Sequence, residues 1–90
     1  MPRNTQVALG ETATLECAPP KGRPEPTISW NHKGHPVNMN DGRVKMTGHN
    51  LIISDVTHQD EGHYQCIAKN LIGERESPPA ILKVLGMLFT

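Results

Sequence analysis

Apolar and polar residues alternate with a period of two over several short segments, and no long stretch shows the 3.6-residue period of an α-helix. In the segment TATLECA, Ala13, Leu15 and Cys17 fall on one face. In TISW, Ile28 and Trp30 share a face in the same way. This alternation predicts about seven short strands, at residues 6–9, 12–18, 27–32, 43–47, 50–54, 63–69 and 80–84.

Turn-forming residues separate these segments, in PPKGRPEP, HKGHP, NDG, TGHN and LIGERESPP. Short strands interrupted by Gly, Pro, Asn and Asp are typical of an antiparallel β-sandwich or barrel. Residues 56–60 are predicted to form a short helical turn. The sequence therefore predicts an all-β fold in one domain over residues 1–84. We interpret the apolar segment LGMLFT, residues 85–90, as a frayed tail or a fragment end.

Charge and hydropathy exclude two classes of partner. The 90 residues contain nine Lys and Arg and nine Asp and Glu, so the formal net charge is zero. Proteins that bind nucleic acids or anionic membranes normally carry an excess of basic residues. There is no apolar run of roughly 18 residues, and the start, MPRNTQVALGE, has no apolar core of a signal peptide. We therefore expect no nucleic-acid partner and no direct membrane insertion.

The segment DEGHYQC, residues 60–66, sets an acid, a phenol and a thiol close together and could be read as a reactive cluster. A nucleophilic cysteine needs a nearby base and an exposed, electropositive setting, whereas the alternation turns Cys66 toward the core. Neither a nucleophile motif nor a glycine-rich phosphate loop is present. The five histidines form no zinc-binding spacing with the two cysteines. We predict no catalytic, cofactor or metal site.

Two cysteines and one tryptophan are predicted on inward faces of different strands. Two facing sheets lie about 10 Å apart, and one disulfide can join them when both Cβ atoms point into the gap. A Cys17–Cys66 bond would close a loop of about 50 residues and contribute roughly 4 kcal/mol. With Trp30 packed against it, the order Cys, Trp, Cys matches the hallmark of immunoglobulin domains.

The same hallmark gives DEGHYQC a structural interpretation. Tyr64 lies two residues before the second cysteine, the position of the tyrosine corner, whose hydroxyl hydrogen-bonds to upstream backbone. Gly62 allows a tight turn because it has no Cβ. We expect Asp60 to accept hydrogen bonds from backbone N–H groups and to pair with Arg43 at the start of its strand.

Nearly the whole chain resembles an immunoglobulin domain of the intermediate set, the I-set. The motifs are GETATLEC, TISW, LIISDVTHQDEGHYQC and IAKNLIG. More narrowly, APPKGRPEPTISW followed by AKNLIGERES resembles the second immunoglobulin domain of Roundabout-type axon-guidance receptors. The resemblance implies an immunoglobulin-like antiparallel β-sandwich with one disulfide between its sheets.

The resemblance also implies a function. Such a domain is a non-catalytic module in the extracellular part of a plasma-membrane receptor for axon guidance or cell adhesion. It supports binding of a Slit-type ligand and heparan sulfate together with neighbouring immunoglobulin domains. I-set domains also occur inside muscle filament and scaffold proteins, where the cysteines could stay reduced. An intracellular structural domain is therefore the alternative prediction, and the redox state of the cysteines distinguishes the two.

The basic side chains are open to two interpretations. Lys21, Arg23, Lys33 and Arg75 could converge into a site for sulfate groups or a protein ligand, because guanidinium and ammonium groups bind oxyanions. Alternatively they are separately solvated charges, since the net charge is zero and no basic run appears. The prolines of PPKGRPEP stiffen that loop, which would also lower the cost of docking a peptide on it.

Overall fold

A computed structural model of the chain describes residues 3–19 and 21–86. Two β-sheets face each other, as the alternation predicts, and one 3₁₀ turn, His58–Asp60, is the only helical element in these residues. The strands are β1 (Thr5–Ala8), β2 (Ala13–Leu15), β3 (Thr27–His32), β4 (His35–Pro36), β5 (Val44–Thr47), β6 (Asn50–Ile53), β7 (Gly62–Lys69), β8 (Glu74–Glu76) and β9 (Ala80–Leu85).

One sheet has the order β1-β9-β7-β3-β4, with β8 also paired to β7, and the other has the order β2-β6-β5. Every pair is antiparallel except β1 with β9, which run parallel. The longest pairing joins β3 and β7 from Thr27 opposite Lys69 to His32 opposite Tyr64. It brings the loop before β3 and the turn after β7 to one end of the domain.

The predicted inward faces form the core between the sheets. Trp30 is 2% exposed and lies directly opposite Cys66 in the β3–β7 pairing. Cys17 and Cys66 are bonded across the sandwich with their Cα atoms 6.1 Å apart. Both sheets contribute the other buried apolar side chains, Ala13, Leu15, Ile28, Leu51, Ile53, Tyr64, Ala68, Ala80, Leu82 and Val84. Val56, from the segment between β6 and the 3₁₀ turn, is buried with them. The predicted all-β immunoglobulin sandwich with one disulfide between sheets is confirmed.

The sequence predicts Cys17 inside a strand over residues 12–18, but in the structure Cys17 lies just beyond the end of β2. The alternation of buried and exposed side chains continues to Cys17, but the strand pairing ends at Leu15. The carbonyl of His49, on the neighbouring turn, accepts a hydrogen bond from the Trp30 indole at 3.1 Å. The Cys17 N–H donates to the Asn50 side chain at 3.4 Å. Side-chain contacts thus replace the backbone ladder beside the disulfide.

The last strand along the chain is divided into two segments, β8 and β9, which both pair with β7. GERES was predicted as part of a turn, yet Glu74–Glu76 forms β8 and pairs with β7. Three steps along β7, from Tyr64 to Ile67, correspond to four steps from Glu76 to Ala80. The strand therefore carries one extra residue, a β-bulge. The bulge contains the Pro-Pro pair at residues 78–79, which has no N–H to donate to a ladder.

Candidate binding surface

The predicted pair of Asp60 and Arg43 is present as a two-pronged ion pair. The Arg43 Nη1 and Nη2 atoms lie 3.0 and 3.2 Å from the two carboxylate oxygens of Asp60. Asp60 also accepts from the Thr57 N–H at 2.7 Å. Arg43 donates further to the carbonyls of Ser54 and Asp55 at 3.2 and 3.1 Å. The pair therefore ties β5 to the turn that precedes β7.

The charge state of Asp60 follows from competing effects. Burial alone would raise its pKa, but the hydrogen bonds from Arg43 and the Thr57 N–H outweigh it and hold the pKa below its ordinary value. The hydrogen bond to Asp60 in turn raises the pKa of Arg43. Both groups are thus held in their charged forms. Such a carboxylate stabilises structure and is a poor proton donor.

Tyr64 occupies the predicted tyrosine corner. Its hydroxyl donates to the carbonyl of Asp60 at 2.5 Å, four residues upstream. Its side chain is 2% exposed, and burial raises the pKa of the phenol. Cys66 is used in the disulfide. Asp60, Tyr64 and Cys66, the acid, phenol and thiol of DEGHYQC, therefore each have a structural partner, and none is arranged as an accessible nucleophile with a base.

Replacing Tyr64 with Phe is expected to lower the free energy of unfolding by about 1–2 kcal/mol, because the buried carbonyl of Asp60 loses its donor. Urea denaturation followed by Trp30 fluorescence measures this change. The matched control is Thr47→Val, which alters an exposed hydroxyl on β5. An unfolding midpoint for Tyr64→Phe equal to that of the wild type would show that the hydroxyl contributes nothing to the corner.

Gly62 begins β7 with φ of +130°, a conformation that L side chains rarely adopt. A Cβ built there would lie 3.0 Å from Lys33 Cε and 3.1 Å from His32 Nε2. The same His32 nitrogen is 2.7 Å from the carbonyl of Glu61, and its ring stacks on Tyr64 with centroids 4.1 Å apart. The absence of a Cβ at Gly62 thus allows the predicted tight turn. It also leaves room for the β3–β4 turn to lie close to the start of β7.

The structure brings three of the four predicted basic residues together. Lys21, Arg23 and Arg75 line one groove of about 500 Å³ between the loop before β3 and the β7–β8 turn. Lys33 lies in the β3–β4 turn, at the opposite end of the six-residue strand β3. At about 3.3 Å per residue, that separation is roughly 20 Å. Lys33 therefore does not belong to the groove.

The cations of this groove have no close acidic partner in the described part of the chain. The three ion pairs found there join Arg43 to Asp41, Arg43 to Asp60 and His58 to Glu61. Glu74 also lines the groove, so the surface carries both signs with basic residues in excess. Its cations are free to meet an external anion.

Asn70, a residue that was not predicted to belong to the site, organises this end of the domain. Its Oδ1 accepts from the N–H groups of Ile72 and Gly73 at 2.9 and 3.1 Å, and its own N–H donates to the Gly73 carbonyl at 3.0 Å. Its Nδ2 donates to the carbonyl of Pro24 at 2.9 Å. One side chain therefore closes the β7–β8 turn and attaches it to the proline-rich loop. The Asn in the segment NLIG could have predicted this turn, since Asn side chains favour such turns by hydrogen-bonding to nearby backbone.

The centre of that turn is apolar and exposed, a second feature missed in the sequence. Leu71 and Ile72 are 92% and 84% exposed. Turn centres are usually polar or glycine, so two consecutive aliphatic residues there were a readable departure from the rule. Ile72 also lines the basic groove. The groove and the apolar turn form one continuous surface.

The described residues, 3–19 and 21–86, contain no group of three or more His, Cys, Asp or Glu side chains placed to hold a metal ion. Within the same residues, no helix has the length and apolar character needed to cross a bilayer.

Comparison with known sequences gives the relatives of this chain. Residues 1–84 match the immunoglobulin I-set domain family. The chain is 46% identical to Roundabout homolog 1 of Homo sapiens over 84 residues. The aligned region covers 93% of this chain and 5% of that protein. It is 46% identical over 86 residues to Protein sax-3 of Caenorhabditis elegans, covering 92% of this chain and 7% of that protein. The resemblance to Roundabout-type receptors is thereby confirmed.

Solved structures share the fold. The tandem Ig repeats of Dlar superpose with a TM-score of 0.88 at 29% identity, covering 94% of this chain and 46% of that chain. Titin M4 superposes with a TM-score of 0.77 at 21% identity, covering 93% of this chain and 88% of that chain. The likeness to titin shows the fold alone. With its sandwich, its buried disulfide and its match over residues 1–84, the chain belongs to the immunoglobulin I-set domain family.

Proposed function

We propose that the chain is a non-catalytic recognition module of a cell-surface receptor for axon guidance or adhesion. The observation that carries this proposal is its 46% identity with Roundabout homolog 1 over 84 residues. The disulfide supports an extracellular location, because such bonds persist in oxidising compartments and are rare in the cytosol. Asp60, Tyr64 and Cys66 of the DEGHYQC corner are each used in structural bonds, which supports a function in binding.

The module acts together with neighbouring immunoglobulin domains. The Dlar chain that it matches is about twice as long and contains tandem Ig repeats, which supports such an arrangement. A neighbouring domain makes most of the contact with a Slit-type protein ligand, and this domain supports and orients it. Heparan sulfate is the co-ligand, and its sulfates bind Lys21, Arg23 and Arg75 in the groove.

Binding to a heparin fragment tests this proposal. The triple variant Lys21→Ala/Arg23→Ala/Arg75→Ala is expected to bind about 5–30-fold more weakly, because three exposed charges together contribute roughly 1–2 kcal/mol. Affinity is measured by calorimetry at low and physiological salt, and binding through these charges weakens as salt rises. Lys33→Ala, at the far end of β3, is the matched control and should bind like the wild type.

Two results would contradict the assignment. Equal affinity of the triple variant and the wild type would remove the groove as the sulfate site. An equal loss on replacing Lys33 would mean that only net charge matters, not the convergence of three side chains. Circular dichroism of each variant checks that the sandwich is intact.

A further inference from the structure

The turn at residues 71–72 is the most exposed apolar feature of the described surface. Leu71 and Ile72 are 92% and 84% exposed, whereas the other exposed large apolar side chains in that part of the chain are between 40% and 44% exposed. These are Met39, Ile81 and Leu85. Solvating two full aliphatic side chains is unfavourable, and covering them on binding would be correspondingly favourable.

The turn is held in one conformation before any partner arrives. Asn70 takes part in four hydrogen bonds with donor–acceptor distances of 2.9 to 3.1 Å: three close the turn, and the fourth, to the carbonyl of Pro24, attaches it to the loop before β3. The described part of that loop contains Pro19, Pro24 and Pro26, whose rings restrict the backbone. A partner therefore pays little conformational entropy to bind this surface.

Basic side chains stand directly beside the apolar ones. Ile72 lines the same groove as Lys21, Arg23 and Arg75. No acidic side chain lies within ion-pair distance of these three in residues 3–19 and 21–86. A ligand that fits the whole surface must supply carboxylates for the groove and apolar side chains for Leu71 and Ile72.

We propose that the groove and the turn together form a docking site for an acidic, apolar segment of another protein. An Asp or Glu of that segment enters the groove among Lys21, Arg23 and Arg75, and flanking aliphatic or aromatic side chains cover Leu71 and Ile72. The site rests on the proposed recognition function and adds the chemistry of the protein ligand.

Charge and apolar character favour this occupant of the complete surface over a second copy of the chain and over a glycan, which under the proposed function binds the groove alone. In a twofold dimer the same patch faces itself, so the three cations Lys21, Arg23 and Arg75 would lie close to their own copies. Glu74 is the one acid that lines the groove, and it would leave most of that repulsion uncompensated. A sulfated glycan supplies anions for the groove but no apolar side chains for Leu71 and Ile72. A protein segment with both properties matches the complete surface.

Selection from a phage library of random twelve-residue peptides on the immobilised chain tests the site. We expect the recovered peptides to be enriched in Asp or Glu beside Leu, Ile, Phe or Trp. The double variant Leu71→Ser/Ile72→Ser should bind a selected synthetic peptide about tenfold more weakly or worse. Arg23→Glu should weaken it similarly, and Glu74→Gln should strengthen it. Met39→Ser and Glu76→Gln, outside the groove, are the matched controls.

The remaining outcomes each overturn the proposal. These are recovery of no peptide that depends on Leu71 and Ile72, recovery without acidic enrichment, or equal losses in the controls. Concentration-dependent dimerisation abolished by Leu71→Ser/Ile72→Ser, seen by analytical ultracentrifugation, would assign the turn to a second copy. A surface that binds a heparin fragment but no peptide would assign the groove to a glycan alone.

The peptide and heparin experiments test the docking site and the proposed function independently of each other. Heparin binding depends on the three basic residues and is expected to be unchanged in Leu71→Ser/Ile72→Ser, so it tests the proposed function without the apolar turn. In a protein that joins this chain to a neighbouring immunoglobulin domain, as the proposed function has it, an Ile72→Cys variant should react with a maleimide as fast as in this chain. Protection there would show that a neighbouring domain covers the turn and would overturn the site.

Discussion

Reduction of the Cys17–Cys66 disulfide is expected to lower the free energy of unfolding by about 4 kcal/mol. The bond joins residues 49 positions apart, so breaking it releases a long loop in the unfolded chain. Small domains have total stabilities of about 5–15 kcal/mol, and a 90-residue chain is expected toward the low end. The reduced domain should therefore be marginally stable at body temperature.

Urea denaturation with and without a strong reductant measures the effect. The double variant Cys17→Ala/Cys66→Ala, studied without reductant, is the control and should be at least as unstable as the reduced wild type. Both cysteines are 6% exposed, so reduction should require partial unfolding and proceed slowly in the native state. Coincident denaturation curves before and after complete reduction would show that Trp30 and the apolar core hold the sandwich without the bond.

Replacing Asp60 with Asn is expected to cost about 3 kcal/mol of unfolding free energy. Removing one partner of a buried ion pair typically costs about 3–5 kcal/mol, and the lower end applies because the Arg43 side chain is 32% exposed. The variant retains a side chain of similar size, so the loss reports the charge and its hydrogen bonds. Thr57 would also lose a charged acceptor for its N–H.

Asp41→Asn is the matched control for this experiment. Asp41 lies 3.6 Å from the same Arg43 guanidinium, but its side chain is 39% exposed, so the change should cost less than about 1 kcal/mol. Chemical denaturation of both variants gives the comparison. Equal losses would mean that burial of the Asp60 pair adds nothing, and the proposed difference between the two carboxylates would be wrong.

The pH dependence of stability gives a second readout of Asp60. Its folded-state pKa is below the ordinary value, so its contribution is complete above the unfolded-state pKa and disappears as the pH falls through the folded-state pKa. Glu61 behaves in the same direction, because the Val84 N–H and His58 lower its pKa. The Asp60→Asn variant should therefore lose less stability on acidification than the wild type. The loss of stability that remains in the variant includes the contribution of Glu61. An unchanged acid slope would contradict the ion pair.

Much of the fold could be read from local sequence pattern. Strands β3 and β7 lie close to their predicted positions, because strict alternation allows only one face to enter the core. The corner formed by Asp60 and Tyr64 was also predicted, since each residue type has a specific partner there. The strand β8 and the end of β2 were placed less well. Both depend on hydrogen bonds to distant residues that local pattern does not contain.

The binding surface could be predicted only in part. Lys21, Arg23, Lys33 and Arg75 were candidates because of their charge, but exposed charged residues follow no periodicity that would show which of them converge. The pairing of β3 with β7 determines which basic residues converge, because it places the proline-rich loop beside the β7–β8 turn. That pairing leaves Lys33 at the opposite end.

The sequence by itself determined the all-β class, the inward faces, the Cys17–Cys66 bond and the corner around Tyr64. Each depends on which side of a strand a residue occupies, and a period of two makes that a local property. Only the tertiary structure decided that Asn70 joins two loops and that Leu71 and Ile72 stand beside a basic groove. Those relations are between segments far apart in the chain, and only strand pairing brings such segments together.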